Sequence, residues 1–328
     1  MSGKISIWLL ITVLLITAPP ADAQPAGKIF RIGYLDSSTA SGSAVLVEAF
    51  RQELSKLGWI EGKNIAIEHR YSEQKPERLP ELAAELVRLK VDLIVASSPP
   101  SALAAKKATT TVPIVMSGGD PVGLGLVASL ARPGGNLTGF SSLAPELSTK
   151  RLEVLKDAVP KLDRVGLLWW LGARIPQESQ LKELRPAALA LKLKVEEIET
   201  QADARSLESA FKTAKQKQVN GIMTTASRSF FAERKRIVEL ATNYRLPAIY
   251  FQKEFVDEGG LMSYGTDYED LYRRSAHYVD KILKGTKPGD LPIQQTTKFE
   301  FVINLKAAKQ IGITIPVRVL ERANKVIK

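Results

Sequence analysis

Few side chains in this sequence are spaced for covalent chemistry. The 328 residues contain no cysteine, so thiol nucleophiles, disulfides and metal–thiolate sites are excluded. The two histidines, His69 in IEHRY and His277 in LYRRSAHYVDKIL, belong to no HExxH-like pattern and read as structural or surface residues. GxSxG and Walker A signatures are absent. GLG at 123–125 lacks the third glycine of a dinucleotide fingerprint and sits inside a helix-like stretch. No Asp/Glu pair stands out for glycoside hydrolysis. The expectation is a protein with no catalytic residue, no metal and no cofactor.

What does recur is a run of small polar residues where a strand ends and a helix begins. YLDSSTASGSA carries Ser37 and Ser38, VASSPPSA carries Ser97 and Ser98, and VMSGGDPVG carries Ser117 and Asp120. In the second half, MTTASRSF supplies Thr225 and Arg228, and YFQKEF supplies Gln252. Hydroxyls and unpaired backbone N–H groups at such turns cap helices and also bind carboxylates. Any one of these turns is a cap; five at the same end of two sheets predict a polar-lined cleft. In that cleft the four serines 37, 38, 97 and 98 suit a ligand carboxylate. Asp120 is either a cap or the partner of a ligand ammonium, and Arg174 and Arg228 are candidate charges from the second half. RVGLLWWLGARIP raises a further point. Neighbours on a strand face opposite ways, so Trp169 is expected to pack beneath a helix and Trp170 to lean toward the cleft.

The elements that must position these residues alternate regularly. FRIGYL, NIAIEHRY, VDLIVAS and VPIVMS read as strands, separated by helices such as SAVLVEAFRQELSKLG and PERLPELAAELVRLK. PVGLGLVASLA reads as the next helix. RPGGNLTGFSS then breaks the rhythm, and alternation restarts with RVGLLWW, KVEEIET, VNGIMTT and LPAIYF. Pro186 is expected to interrupt one of the intervening helices. Two parallel-sheet α/β halves joined by a Gly/Pro-rich connection follow.

Residues 1–23 read as a cleavable signal peptide: Lys4, an apolar run from Ile7 to Ala18, two prolines, then Ala21-Asp22-Ala23. With no cysteine for lipid attachment and no later run approaching a membrane span, a free periplasmic protein that is not a lipoprotein is expected. The formal charge of +11 is spread along amphipathic helices without a dense basic run, which argues against nucleic acid.

Long stretches in order, among them GWIEGKNIAIEHRYSE, DPVGLGLVASLARPGGNLTG, EFVDEGGLMSYG and LYRRSAHYVDKILKGTKPGDLPIQQTTKFEFVINLKAAKQIGITIP, resemble the ABC transporter substrate-binding protein family. The similarity is to the branch with tryptophan- and other aromatic amino acid-binding members, and covers nearly all of residues 29–328. It implies a type I periplasmic binding protein fold of two Rossmann-like lobes with a hinge of three crossings. The implied boundaries are 24–140 plus 262–290 for the N-terminal lobe and 141–261 plus 291–328 for the C-terminal lobe. The crossings would fall in GGNLTGFSS, near GGLMSYG and near DLPIQQ, with Tyr264 and Asp267 at the second, sealing the hinge or touching ligand. The implied function is solute capture by lobe closure for an inner-membrane ABC permease and its ATPase. The protein would act as a monomer, with an aromatic or branched amino acid or related carboxylate as solute. A sensing module for a membrane receptor is the alternative, and a secreted hydrolase is disfavoured by the missing constellation. The chain departs from its relatives where Trp170 and Leu171 replace an Asn-Pro turn and where Lys253 replaces an arginine.

Overall fold

The computed structural model describes residues 28–328, apart from the side chains of residues 173–177. The signal-peptide segment 1–23 therefore lies outside the described residues, as does the Arg174 side chain. The first lobe is a six-stranded sheet of β1 (Phe30–Asp36), β2 (Ile65–Tyr71), β3 (Leu93–Ala96), β4 (Ile114–Ser117), β5 (Leu137–Ser141) and the returning β11 (Gln294–Gln295). Its spatial order is β11-β5-β4-β3-β1-β2, and every pairing is parallel. β3 and β4 are buried throughout, covered on both faces, so their sequences are apolar up to Ser117 at the end of β4 rather than alternating.

The second lobe repeats the scheme with β6 (Arg164–Trp170), β7 (Lys194–Thr200), β8 (Gly221–Thr224), β9 (Ala248–Tyr250), β10 (Met262–Thr266), β12 (Phe299–Asn304) and β13 (Lys325–Ile327). The order is β13-β12-β10-β9-β8-β6-β7, with β10–β12 the antiparallel pair. The chain leaves β10 at Thr266 and re-enters opposite the same residue at Phe299, so β12 must run back the other way. Both sheets share the 2-1-3-4-5 core order of doubly wound folds, whose ligand crevice lies beyond the carboxyl ends of the strands.

Three crossings join the lobes and are hydrogen-bonded to one another. Thr266 Oγ1 donates to Ser142 O at 3.0 Å, Asp267 N to Lys298 O at 3.1 Å and Thr296 N to Ser141 O at 3.0 Å. The implied boundaries shift accordingly. Met262–Thr266 belongs to the second sheet, not the first lobe, and the chain crosses at Asp267, which caps the helix Tyr268–Leu283. Residues 291–295 stay with the first lobe: Thr138 Oγ1 donates to Leu291 O at 2.7 Å and β11 pairs with β5.

Three local expectations also change. LTGFS in the expected break is the buried strand β5, so the first crossing follows it. PVGLGLVASLA is a series of turns, because Gly125 adopts φ +66° and the segment is held by bonds such as Leu126 N to Pro121 O. Leu126 and Val127 still bury themselves in the first-lobe core. Pro186 sits within the unbroken helix Arg174–Ala190.

Candidate functional site

The carboxyl ends of the two sheets face each other across a cleft with about 690 Å³ of empty space, its mouth included. β1, β3 and β4 bring Ser37, Ser97, Ser98 and Ser117 to its first-lobe wall, with Asp120 in the turn beyond β4. β6, β8 and β9 bring Trp170, Arg228 and Gln252 to the opposite wall.

Most of the serines are engaged with one another. Ser37 Oγ lies 3.0 Å from Ser98 Oγ, which lies 2.8 Å from Ser101 Oγ. Ser117 Oγ is 3.0 Å from Ser275 Oγ, and Ser142 Oγ accepts from Gly119 N at 2.9 Å. Ser97 Oγ and Ser227 Oγ are buried at the cleft with no partner among the described residues. Asp120 Oδ1 accepts the Gly123 N–H at 2.9 Å, so it shapes its own turn while lining the cleft.

Arg228 is the most confined charge in the cleft, with 6% of its side chain exposed. Its Nη2 donates to Ser43 Oγ at 3.1 Å and stands 3.6 Å from Asp36 Oδ2, both across the lobe boundary. Asp36 is fully buried and accepts from Ser38 N at 2.9 Å, Ser43 Oγ at 2.7 Å and Tyr34 OH at 3.3 Å. The guanidinium also lies over Phe231, 4.9 Å from the ring centre. Burial opposes its charge, yet Tyr272, Asp36 and Tyr34 outweigh that penalty and hold its pKa above the ordinary value.

The paired indoles part company as strand geometry requires. Trp169 packs among Leu152, Leu155, Leu181 and Leu184 in the second-lobe core. Trp170 points the other way, lines the cleft, and belongs to the apolar cluster that runs from Ile32 and Phe50 in the first lobe to Phe230 and Phe231 in the second.

Four of the expected positions lie elsewhere. Ser38 is buried beneath Gly42, its N–H on Asp36, and does not line the cleft. Thr225 is buried with its N–H on Leu168 O, one residue short of the cleft wall. Tyr264 turns into the second lobe against Phe301, at 6.0 Å between ring centres. Asp267 stays in the hinge, accepting from Asp270 N and pairing with Lys298 at 2.9 Å.

Sequence reasoning missed two aromatic walls and an amide. Phe251 precedes Gln252, and Tyr268 opens the helix after the second crossing; both line the cleft. Burial raises the Tyr268 pKa, so it faces the site as a neutral phenol. Gln180 also lines it, its Oε1 accepting from Ala226 N at 2.9 Å. Among the described residues, no three His, Cys, Asp or Glu side chains converge as metal ligands.

A two-lobed doubly wound fold with this cleft fits solute capture, and the comparison with known families decides the matter. The model of the family described as ABC transporter substrate binding protein matches residues 40–327. The chain belongs to that family. Family membership makes it a binding protein rather than a member of an enzyme family. This substrate-binding protein is 28% identical over 269 residues to a tyrosine-binding protein of Clostridioides difficile, covering 81% of this chain and 76% of that one. Its fold superposes on a conserved domain protein of Vibrio cholerae with a TM-score of 0.84 at 28% identity, covering 91% of this chain and all of the other. A Streptococcus pneumonia ABC domain in complex with L-Trp matches with a TM-score of 0.82 at 26% identity, over 92% of this chain and all of the other.

Proposed function

We propose that this protein is the solute-capturing component of an ABC importer, working in the periplasm as a monomer and delivering an aromatic or branched amino acid to its permease and ATPase. The observation that carries the reading is the construction of the cleft. Two sheets present their carboxyl ends to each other, and residues of both line one space. A ligand touching both walls favours the closed arrangement by its differential affinity for it. Trp170, Phe251 and Tyr268 supply flat apolar surface, Ser97 and Gln252 supply hydrogen bonds, and Asp120 supplies a charge on the first-lobe wall. Relatives that bind tyrosine or hold L-Trp support an aromatic amino acid as the first solute to try.

The test is tryptophan fluorescence of the chain from Gln24 onward, titrated with single amino acids and small carboxylates. A saturable change with an aromatic or branched amino acid is the expected result. Silence across that panel, with a response to a solute of another class, overturns the ligand assignment.

A further inference from the structure

Of the serines expected to receive a ligand carboxylate, Ser37 and Ser98 are used up within the first lobe and Ser38 lies outside the cleft, which leaves Ser97 Oγ there without a partner among the described residues. Ser37, Ser98 and Ser101 bond in a chain, and Ser117 is held by Ser275. The opposite wall holds donors that are not used. Arg228 Nε and Nη1 carry three N–H groups between them, are buried, and meet no acceptor among the described residues, while only Nη2 is engaged. Ser227 Oγ, on the preceding residue, is likewise buried at the cleft without a partner among the described residues. Buried guanidinium N–H groups left without acceptors are costly, and a carboxylate is the acceptor that best satisfies them.

A second cation points the same way. Arg151, 1% exposed, has no carboxylate partner among the described residues. Its Nη2 donates to Ser148 Oγ at 2.7 Å and its Nη1 to Tyr264 O at 3.3 Å. Ser148 Oγ in turn lies 3.2 Å from Oε1 of the cleft residue Gln180. Asp36 therefore offsets one buried guanidinium behind the second-lobe wall and leaves the other uncompensated. Burial draws the Arg151 pKa down to about 10, which still leaves it charged at neutral pH.

We propose that Arg228, not the first-lobe serines, anchors the ligand's carboxylate, with Asp36, 3.6 Å from its Nη2, as the positioning residue. This rests on the capture reading above and sharpens it: solutes must present a free carboxylate to the second lobe. The Asp36–Arg228 pair crosses the lobe boundary, so carboxylate binding and lobe closure act on the same side chain.

The test is calorimetric titration of the chain from Gln24 with L-tryptophan, L-tyrosine, L-phenylalanine and L-leucine, each beside its primary amide. The expected result is at least 100-fold weaker binding of the amide than of the acid that binds. In Arg228→Gln the acid should fall to the level of the amide, with the amide itself also weakened by loss of the cross-lobe pair with Asp36. Asp36→Asn, which keeps the guanidinium, should weaken both compounds and preserve a preference for the acid. Equal binding of acid and amide by the unmodified chain overturns the anchor and needs no variant to fold. So does an acid preference that survives Arg228→Gln. If neither acids nor amides bind while a solute without a carboxylate does, the amino acid reading itself is overturned and the anchor with it.

Discussion

Gly42 of the first lobe and Ala232 of the second stand closer than any larger residue at position 42 allows. A Cβ placed on Gly42 would lie 2.6 Å from the Ala232 Cβ and 2.9 Å from Ser38 Oγ. Gly42 sits in the first turn of the helix Ala40–Lys56, where Thr39 Oγ1 accepts its N–H at 3.0 Å. Nearby, Gln74 Nε2 donates to Glu233 Oε1 at 3.2 Å across the same boundary. These contacts exist only while the lobes are together.

Gly42→Leu should therefore act as a wedge. The Ser38 hydroxyl can rotate aside, but Ala232 belongs to the other lobe, and relief comes from parting the lobes. Ligand affinity should fall at least about tenfold by mass action on closure. Stability should hold or rise, since leucine exceeds glycine in helix propensity by up to about 1 kcal/mol. Small-angle scattering with and without ligand, beside a denaturation curve, separates the two effects. Unchanged affinity would show that this contact does not limit closure.

The adjacent tryptophans should give opposite results. Trp170→Phe should remove most of the ligand-induced fluorescence change, because that indole lines the cleft. Trp169→Phe should leave it intact, and Trp169→Ala should cost about 3–5 kcal/mol of stability from the second-lobe core. A ligand response that survives Trp170→Phe and vanishes in Trp169→Phe reverses the assignment.

The difference between these two residues was legible from the strand period alone, as were the polar turns at the strand ends. The β5 strand was not. Gly134 and Gly135 mark a real turn before it, but Gly139 lies inside the strand, with φ +134° and no room for a Cβ against the Met116 backbone. A local reading takes such a glycine for a break, when the close approach of β4 is what requires it. The stretch 121–131 misled in the opposite direction: its apolar residues reach the core, yet Gly123 and Gly125 favour turns over a helix. Which of Ser37 and Ser38 meets the cleft depends on how the chain leaves β1. That Arg228 Nε and Nη1 meet no acceptor among the described residues depends on which groups the other lobe brings to it. Both are properties of packing between distant segments, which no local pattern encodes.

Asp267 offers a control at the hinge. It caps the helix Tyr268–Leu283 and pairs with Lys298 but does not line the cleft. Asp267→Ala should cost about 1 kcal/mol through the lost cap, with ligand affinity changed less than about threefold in the titration used for the parent chain. A loss of affinity much beyond the loss of stability would assign Asp267 a direct contact.

Glu254 should make stability depend on pH with an unusual sign. Burial raises its carboxyl from the ordinary 4.5 to about 7, with Glu269 and Asp257 adding to the shift and Lys253 opposing it. Lys253 is shared with Glu269 at 3.5 Å and Glu300 at 3.6 Å, so it compensates Glu254 only in part. Between those two pH values the folded chain holds a proton that the unfolded chain has released. Stability therefore falls as pH rises from about 4.5 to about 7 and levels off above, by about 3 kcal/mol in all. His69 works the other way: burial lowers its pKa, so its contribution grows as pH rises toward 6.5. The comparison with Glu254→Gln separates them, because only the Glu254 contribution is removed. Urea midpoints at pH 5, 6, 7 and 8 should show the variant gaining on the parent chain as pH rises, with the largest advantage at pH 8. Parallel pH profiles for the two proteins would mean that Glu254 is ionised at no cost in the folded state.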